Sequence, residues 1–202
     1  MRFRPAAFLA LFALCAALLS CGKTPVRSAR RINPEFMKLS RVFSAVSAEC
    51  RDSVPDGSPS EMINDIHRVV SSGSRNFLSP SEKNADLIPL SARDEYGVSS
   101  DGILLRKAAE KSLREMGKKA KDDGVSLVVA GACDDGGCAA DFCDGFVWLS
   151  ENAPSFGWAK LPFENGARFR FIGKEACAFC DKWFGGSVPL MIEFVSAWKA
   201  AS

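Results

Sequence analysis

The sequence predicts an α+β domain, a small and mostly antiparallel sheet with helices packed against it, and three patterns carry that expectation. Leu105, Ala109, Leu113, Met116 and Ala120 recur at steps of three and four, which gives a helix one apolar face and sets Arg106, Lys107, Glu110, Lys111 and Arg114 on its wet side. Val125 to Ala130 is nearly continuous in apolar and β-branched residues, the pattern of a strand covered on both faces. Arg168-Phe169-Arg170-Phe171-Ile172 alternates, as a strand with one buried face does.

The chain has 202 residues, enough for one domain with a core of its own plus a segment ahead of it. That segment reads as a leader. Arg2 and Arg4 form a basic start, Ala6 to Leu19 is an apolar run too short to span a bilayer as a mature helix, and Leu18-Leu19-Ser20-Cys21 resembles a bacterial lipobox. Residues 1–21 therefore read as a lipoprotein signal peptide and lipobox, with Cys21 the lipidated first residue of the mature chain, and the expected location is a membrane's extracytoplasmic side. Cleavage removes two basic residues and no acid, leaving 24 against 24. A neutral chain has no general reason to seek nucleic acid. Residues 22–33 hold Lys23, Arg27, Arg30 and Arg31 without apolar periodicity and read as a flexible tether, with contact between these charges and anionic headgroups as the functional alternative.

The domain is placed at 34–202. Phe36, Met37, Leu39, Val42, Phe43 and Val46 predict a helix over 34–50, ended by the turn Pro55-Asp56-Gly57. Ser58-Pro59-Ser60-Glu61 opens a second helix with Met62, Ile63, Ile66, Val69 and Val70 as its stripe. His67, the only histidine, lies beside the polar side of that stripe and reads as a surface or half-buried residue. Ser91 to Ser100 is a polar loop, and Gly124 ends the helix that starts near Leu105. Ala139 to Cys143 is a short strand; a short helix through Trp148, Leu149 and Ala153 stops at Pro154. Strands follow at 156–161 and 168–172, then helices at 174–184 and 188–198 separated by Gly185-Gly186.

Six cysteines remain after the leader and Cys21: Cys50, Cys133, Cys138, Cys143, Cys177 and Cys180. An even number in an exported chain reads first as disulfides, with the pairing left open. If 139–143 is a strand, Cys143 shares a face with Asp141, and a bridge to Cys133 would brace the loop between them. A thiolate metal site competes less well, because the spacing of five between Cys133, Cys138 and Cys143 differs from ligand knuckles. A redox pair at Cys177 and Cys180 lacks the preceding strand and loop of that motif.

Several stretches resemble one family. Leu105-Arg106-Lys107-Ala108-Ala109, Lys121 to Val129 with Gly131, and Gly137-Cys138-Ala139-Ala140-Asp141-Phe142 resemble the zinc D-alanyl-D-alanine carboxypeptidases of the VanY type. So do Asp86-Leu87-Ile88-Pro89-Leu90 and Trp148 to Ala153 followed by Phe156-Gly157, so that the likeness covers most of 75–198. The resemblance implies a carboxypeptidase-like core, and, for the family, removal of the terminal D-alanine from peptidoglycan stem peptides. Its signature is S-x-H-x-x-G-x-A-x-D and then E-x-W-H, where two His and the Asp hold zinc and the Glu is the base.

In this chain Asp141 stands at the zinc-binding Asp, Asp134 at the first His, Arg168 at the second and Asn165 at the Glu, with Ala167 for the Trp. A slip of one residue brings Glu164 to the base position and no slip supplies a histidine. A guanidinium does not ligate zinc. The resemblance thus implies a non-catalytic relative without a cofactor, a binding or structural module of the cell envelope centred on Asp134, Asp141, Asn165 and Arg168. Its partners would be a peptidoglycan stem peptide or an envelope protein. Arg168 could pair a peptide carboxylate or neutralise Asp141, and the ion pair is the better expectation. The competing expectation is an active metallopeptidase holding zinc through substituted ligands, two Asp and a Cys.

The lipobox yields the first testable outcome. Cys21→Ala should move the processed protein from the membrane fraction to the soluble fraction of cells. Retention of processed Cys21→Ala protein in the membrane would count against a lipid anchor.

Overall fold

The computed structural model describes residues 33–72, 86–132, 136–162 and 167–201. Cys21, Cys133, Asp134 and Asn165 lie outside these residues. The described chain forms α1 (Pro34–Ala45), α2 (Ala48–Ser53), α3 (Pro59–Ser71), β1 (Leu87–Pro89), β2 (Gly97–Val98), β3 (Leu104–Arg106) and α4 (Lys107–Asp122). It continues with β4 (Val128–Ala132), β5 (Ala139–Phe142), α5 (Phe146–Asn152), a 3-10 turn (Ala153–Phe156), β6 (Trp158–Leu161), β7 (Ala167–Phe171), α6 (Lys174–Phe184) and α7 (Val188–Ala200). The fold is α+β. One sheet runs β2-β4-β5-β7-β6, antiparallel except where β2 lies parallel to β4, and β1 pairs with β3 in a separate ribbon.

Two cores flank the main sheet. Leu105, Ala109, Leu113 and Met116 bury the apolar stripe of α4 against Val129, Ala140, Phe142, Trp158, Phe169 and Phe171. Here Ser112, on the buried side of α4, accepts the Trp158 indole N–H at 3.1 Å and donates to the Phe156 carbonyl. The second core gathers α1, α2, α3, α6 and α7 with Ala159 and Ile172, so these helices reach the other face of the sheet at its β6 side. Sheet period explains the division, because Ala159 and Trp158 are neighbours and must point to opposite faces.

Local chemistry sets the helix ends. Gly124, at φ +78°, closes α4 in the left-handed conformation while the Val125 N–H donates to the Ala120 carbonyl at 2.8 Å, the hydrogen bond of a Schellman cap. In mid-helix, a Cβ on Gly117 would run into the Glu95 carbonyl oxygen, so α4 and the 93–96 turn touch backbone to backbone. The helix expected over 34–50 is two helices. Val46 and Ser47 are extended, the Ser47 hydroxyl caps Cys50 N at 3.1 Å, and Ser47 is itself held by the Glu193 carboxylate of α7. Arg51 completes the break by donating to the Phe43 and Val46 carbonyls at 3.2 and 2.9 Å.

Other expectations are corrected. Arg106 and Glu110 are buried rather than wet. Arg106 Nε donates to the Gly136 carbonyl at 2.9 Å, and Glu110 accepts from Tyr96 Oη at 3.3 Å and pairs with Arg93 Nε at 3.2 Å. The 91–100 segment is therefore more than a loop: it folds back through the Arg93 to Tyr96 bridge and supplies β2. The central strand starts at Val128, and of its residues Val129 alone is buried while Val128 and Ala130 on the other face are half-buried, so it is fully covered on one face only; its pairing with β5 has a bulge between Val129 and Gly131. As expected, α5 ends just ahead of Pro154, at Asn152, and the 3-10 turn that follows starts at Ala153 with Pro154 in its first positions.

A polar clamp ties α3 to α6. Asp65 accepts from Lys182 Nζ at 2.7 Å and from the Trp183 indole at 3.0 Å, and Lys182 also reaches Glu61 at 2.6 Å. Burial alone would raise the Asp65 pKa, but the Lys182 and Trp183 hydrogen bonds and the charges of Lys182 and Arg68 bring it below the ordinary value. A lowered folded pKa contributes stability above the unfolded pKa and loses it as pH falls through the folded one. Asp65→Asn should therefore cost about 2 kcal/mol at neutral pH. Its melting temperature should also fall less than the wild type's on acidification below about pH 4; parallel calorimetric profiles would contradict this.

Candidate functional site

Sheet register brings the site together. Gly131 of β4 pairs with Asp141 of β5, Asp141 with Arg168 of β7, and Arg168 with Leu161 of β6, so one row crosses four strands with its side chains on a single face. This is the face opposite Phe142 and Phe169. Arg168 grips Asp141 with two nitrogens, Nε to Oδ1 at 2.6 Å and Nη2 to Oδ2 at 3.1 Å, and both side chains keep about a quarter of their surface exposed, 25% and 27%. Such a fork on a carboxylate fixes both partners in plane. Arg170, two residues on, is buried in the neighbouring row opposite Ala139 and Ala159.

Gly131 also lines a groove. Its α-carbon lies where a Cβ would meet Asp141 Oδ2 at 3.5 Å, so the carboxylate packs beside the glycine while the strand's edge opens into a groove of about 410 Å³. Leu87, Ser100, Asp101, Leu104, Gly136 and Gly137 form its other walls. The Gly136-Gly137 turn has both residues at positive φ, and a Cβ on Gly137 would collide with Leu87, so only glycine lets the turn approach the β1-β3 ribbon.

Of the residues singled out by the sequence, the structure joins Asp141 to Arg168. Asp134, Asn165 and Cys133 fall outside the described residues, so nothing is stated of their place. His67 sits on α3, half exposed, with Nε2 3.1 Å from Glu35 Oε2 and its ring edge-on to Trp198. Zinc does not fit the described residues. Both Asp141 oxygens already accept from a guanidinium, whose charge opposes a second cation, and among the described residues no three His, Cys, Asp or Glu side chains are grouped to hold a metal ion.

The cysteines are dispersed. No disulfide joins any two of Cys50, Cys138, Cys143, Cys177 and Cys180, against the expectation of pairing among them. Cys50, Cys177 and Cys180 belong to the helical core, Cys138 is buried beside the Gly136-Gly137 turn, and Cys143 is exposed past the end of β5 with Sγ 3.6 Å from the Val128 carbonyl. Burial raises the thiol of Cys50 to about 11 and that of Cys180 to about 12, with the Glu193 and Asp181 carboxylates adding to it, and raises Cys177 further. Groups so shifted are thiols at neutral pH and inert ones.

Comparison with family models, with curated proteins and with solved structures finds no match. The resemblance therefore rests on the quoted residues. The sequence carried no expectation of the groove; Leu104, which lines it, is exposed between buried Ile103 and Leu105.

The fork predicts coupling. In a double-mutant cycle of Asp141→Asn and Arg168→Gln, denaturant unfolding should give a coupling energy of about 1 kcal/mol, because the pair is bidentate and only partly exposed. Additive losses would show that the contact contributes nothing.

Proposed function

We propose that this chain is a membrane-anchored bacterial lipoprotein whose domain resembles the VanY-type carboxypeptidases but has no catalytic metal, and which acts as a binding or structural module of the cell envelope. One observation supports this reading above the others. Arg168, at the position of a zinc-binding histidine in the resemblance, holds both oxygens of Asp141, at the position of the zinc-binding Asp. The cation is part of the protein. A carboxylate neutralised in this way needs no metal to compensate its charge, and it is not poised to bind one.

The remaining polar surface suits recognition rather than turnover. The groove beside Gly131 is walled by glycine backbone and by Ser100 and Asp101, groups that can hydrogen-bond an extended peptide such as a peptidoglycan stem. Of the polar side chains that line it, the Ser100 hydroxyl donates to the Ala130 carbonyl at 2.7 Å rather than to a carboxylate base. The mature protein, purified without chelators, should carry less than about one zinc per ten chains and release no D-alanine from a pentapeptide. Stoichiometric zinc in the metal analysis, together with turnover, would overturn the reading.

A further inference from the structure

Five large apolar side chains are exposed among the described residues: Phe36, Met37, Leu104, Phe146 and Val147. Leu104 belongs to the groove. The other four form two adjacent pairs, and charge separates them. Phe146 and Val147 lie between Asp144 and Glu151, in a stretch from 143 to 157 that holds no basic residue. Phe36 and Met37 stand in the first turn of α1, next to the basic segment that leads into the domain.

The charge is unevenly placed along the chain. Residues 22–45 hold six basic residues, Lys23, Arg27, Arg30, Arg31, Lys38 and Arg41, against Glu35 alone, a net charge of +5. Because the chain from Gly22 onward has 24 of each sign, residues 46–202 carry −5. Phe36 and Met37 thus lie within the positive stretch of a sequence whose charges balance from Gly22 onward. Arg41, exposed one turn beyond Met37, shares its side of α1, while Leu39 and Val42 bury the opposite side in the helical core. Glu35, the one acid, is engaged by His67.

We propose that the first turn of α1 lies against an anionic lipid bilayer, with Phe36 and Met37 entering the headgroup region and the basic residues around them meeting phosphates. An amphipathic face of this kind binds through apolar area and lipid charge together. The inference adds to the lipoprotein reading an orientation, with the first turn of α1 toward the membrane. It draws on that reading only for which surface is at hand, so the two can fail separately. Acylation is tested by the fractionation of Cys21→Ala, and the face by protein that has no lipid.

The mature chain, made with Cys21→Ser behind a cleavable leader so that no acyl group is added, is mixed with phosphatidylglycerol or phosphatidylcholine vesicles and sedimented. It should partition to phosphatidylglycerol and not to phosphatidylcholine, with partition falling as ionic strength rises. Phe36→Ser/Met37→Ser should lower that partition about tenfold. Val147→Ser, at an exposed apolar position outside the basic end, should leave it unchanged. Circular dichroism of each variant confirms that helix content is kept. No binding to phosphatidylglycerol, equal binding to both lipids, or a Phe36→Ser/Met37→Ser variant that partitions like the parent would each overturn the proposal.

Discussion

The main sheet is dry over most of one face, while the helices available for its other face reach only the β6 side. Most of the architecture follows from that inequality. On the dry face, α4 lays its stripe over Phe142, Trp158, Phe169 and Phe171, and even the polar Ser112 on that stripe is used to satisfy the Trp158 indole. On the other face α6 and α7 pack on Ala159. Toward β5 and β4 a charged pair and a glycine take over, which is the pattern expected where a sheet passes from cover into solvent.

Asp141 and Arg168 meet in that transition zone, and their pairing shows how strand register turns two distant residues into one unit. Each residue alone, about three-quarters covered, would be costly to desolvate; together in a fork they satisfy each other while their outer edges stay wet. The arrangement also limits the chemistry of the site. A carboxylate whose two oxygens already accept from a guanidinium has little left to offer a metal ion, but its row still borders a groove made largely of backbone.

The sequence carried the elements whose signals are local. Helix α4 and its stop at Gly124, helix α6 over 174–184, and the alternation of 168–172 were legible because periodicity and glycine suffice to specify them. The pairing of Asp141 with Arg168 was legible through motif positions that placed both at one site. What remained hidden depends on partners far along the chain. The break after Ala45 is invisible to an apolar pattern that runs straight through it, because Glu193, 146 positions away, holds Ser47. Arg106 and Glu110 follow the spacing of wet residues, yet Gly136, Arg93 and Tyr96 bring them partners and allow burial. The groove draws on three segments at once, so no window of sequence contains it.

The contact at Gly117 gives α4 a second role. Glu110 is clasped by Arg93 and Tyr96, and seven residues later, two helical turns on, Gly117 lies against the backbone of Glu95. A rod pinned at two such points can neither roll nor slide beneath the turn it holds. That turn runs on through β2 into Ser100 to Leu104, the outer wall of the groove. The width of the opening is thus gauged by a helix that contributes no side chain to its lining, and a single added methyl group at 117 would act there as a shim.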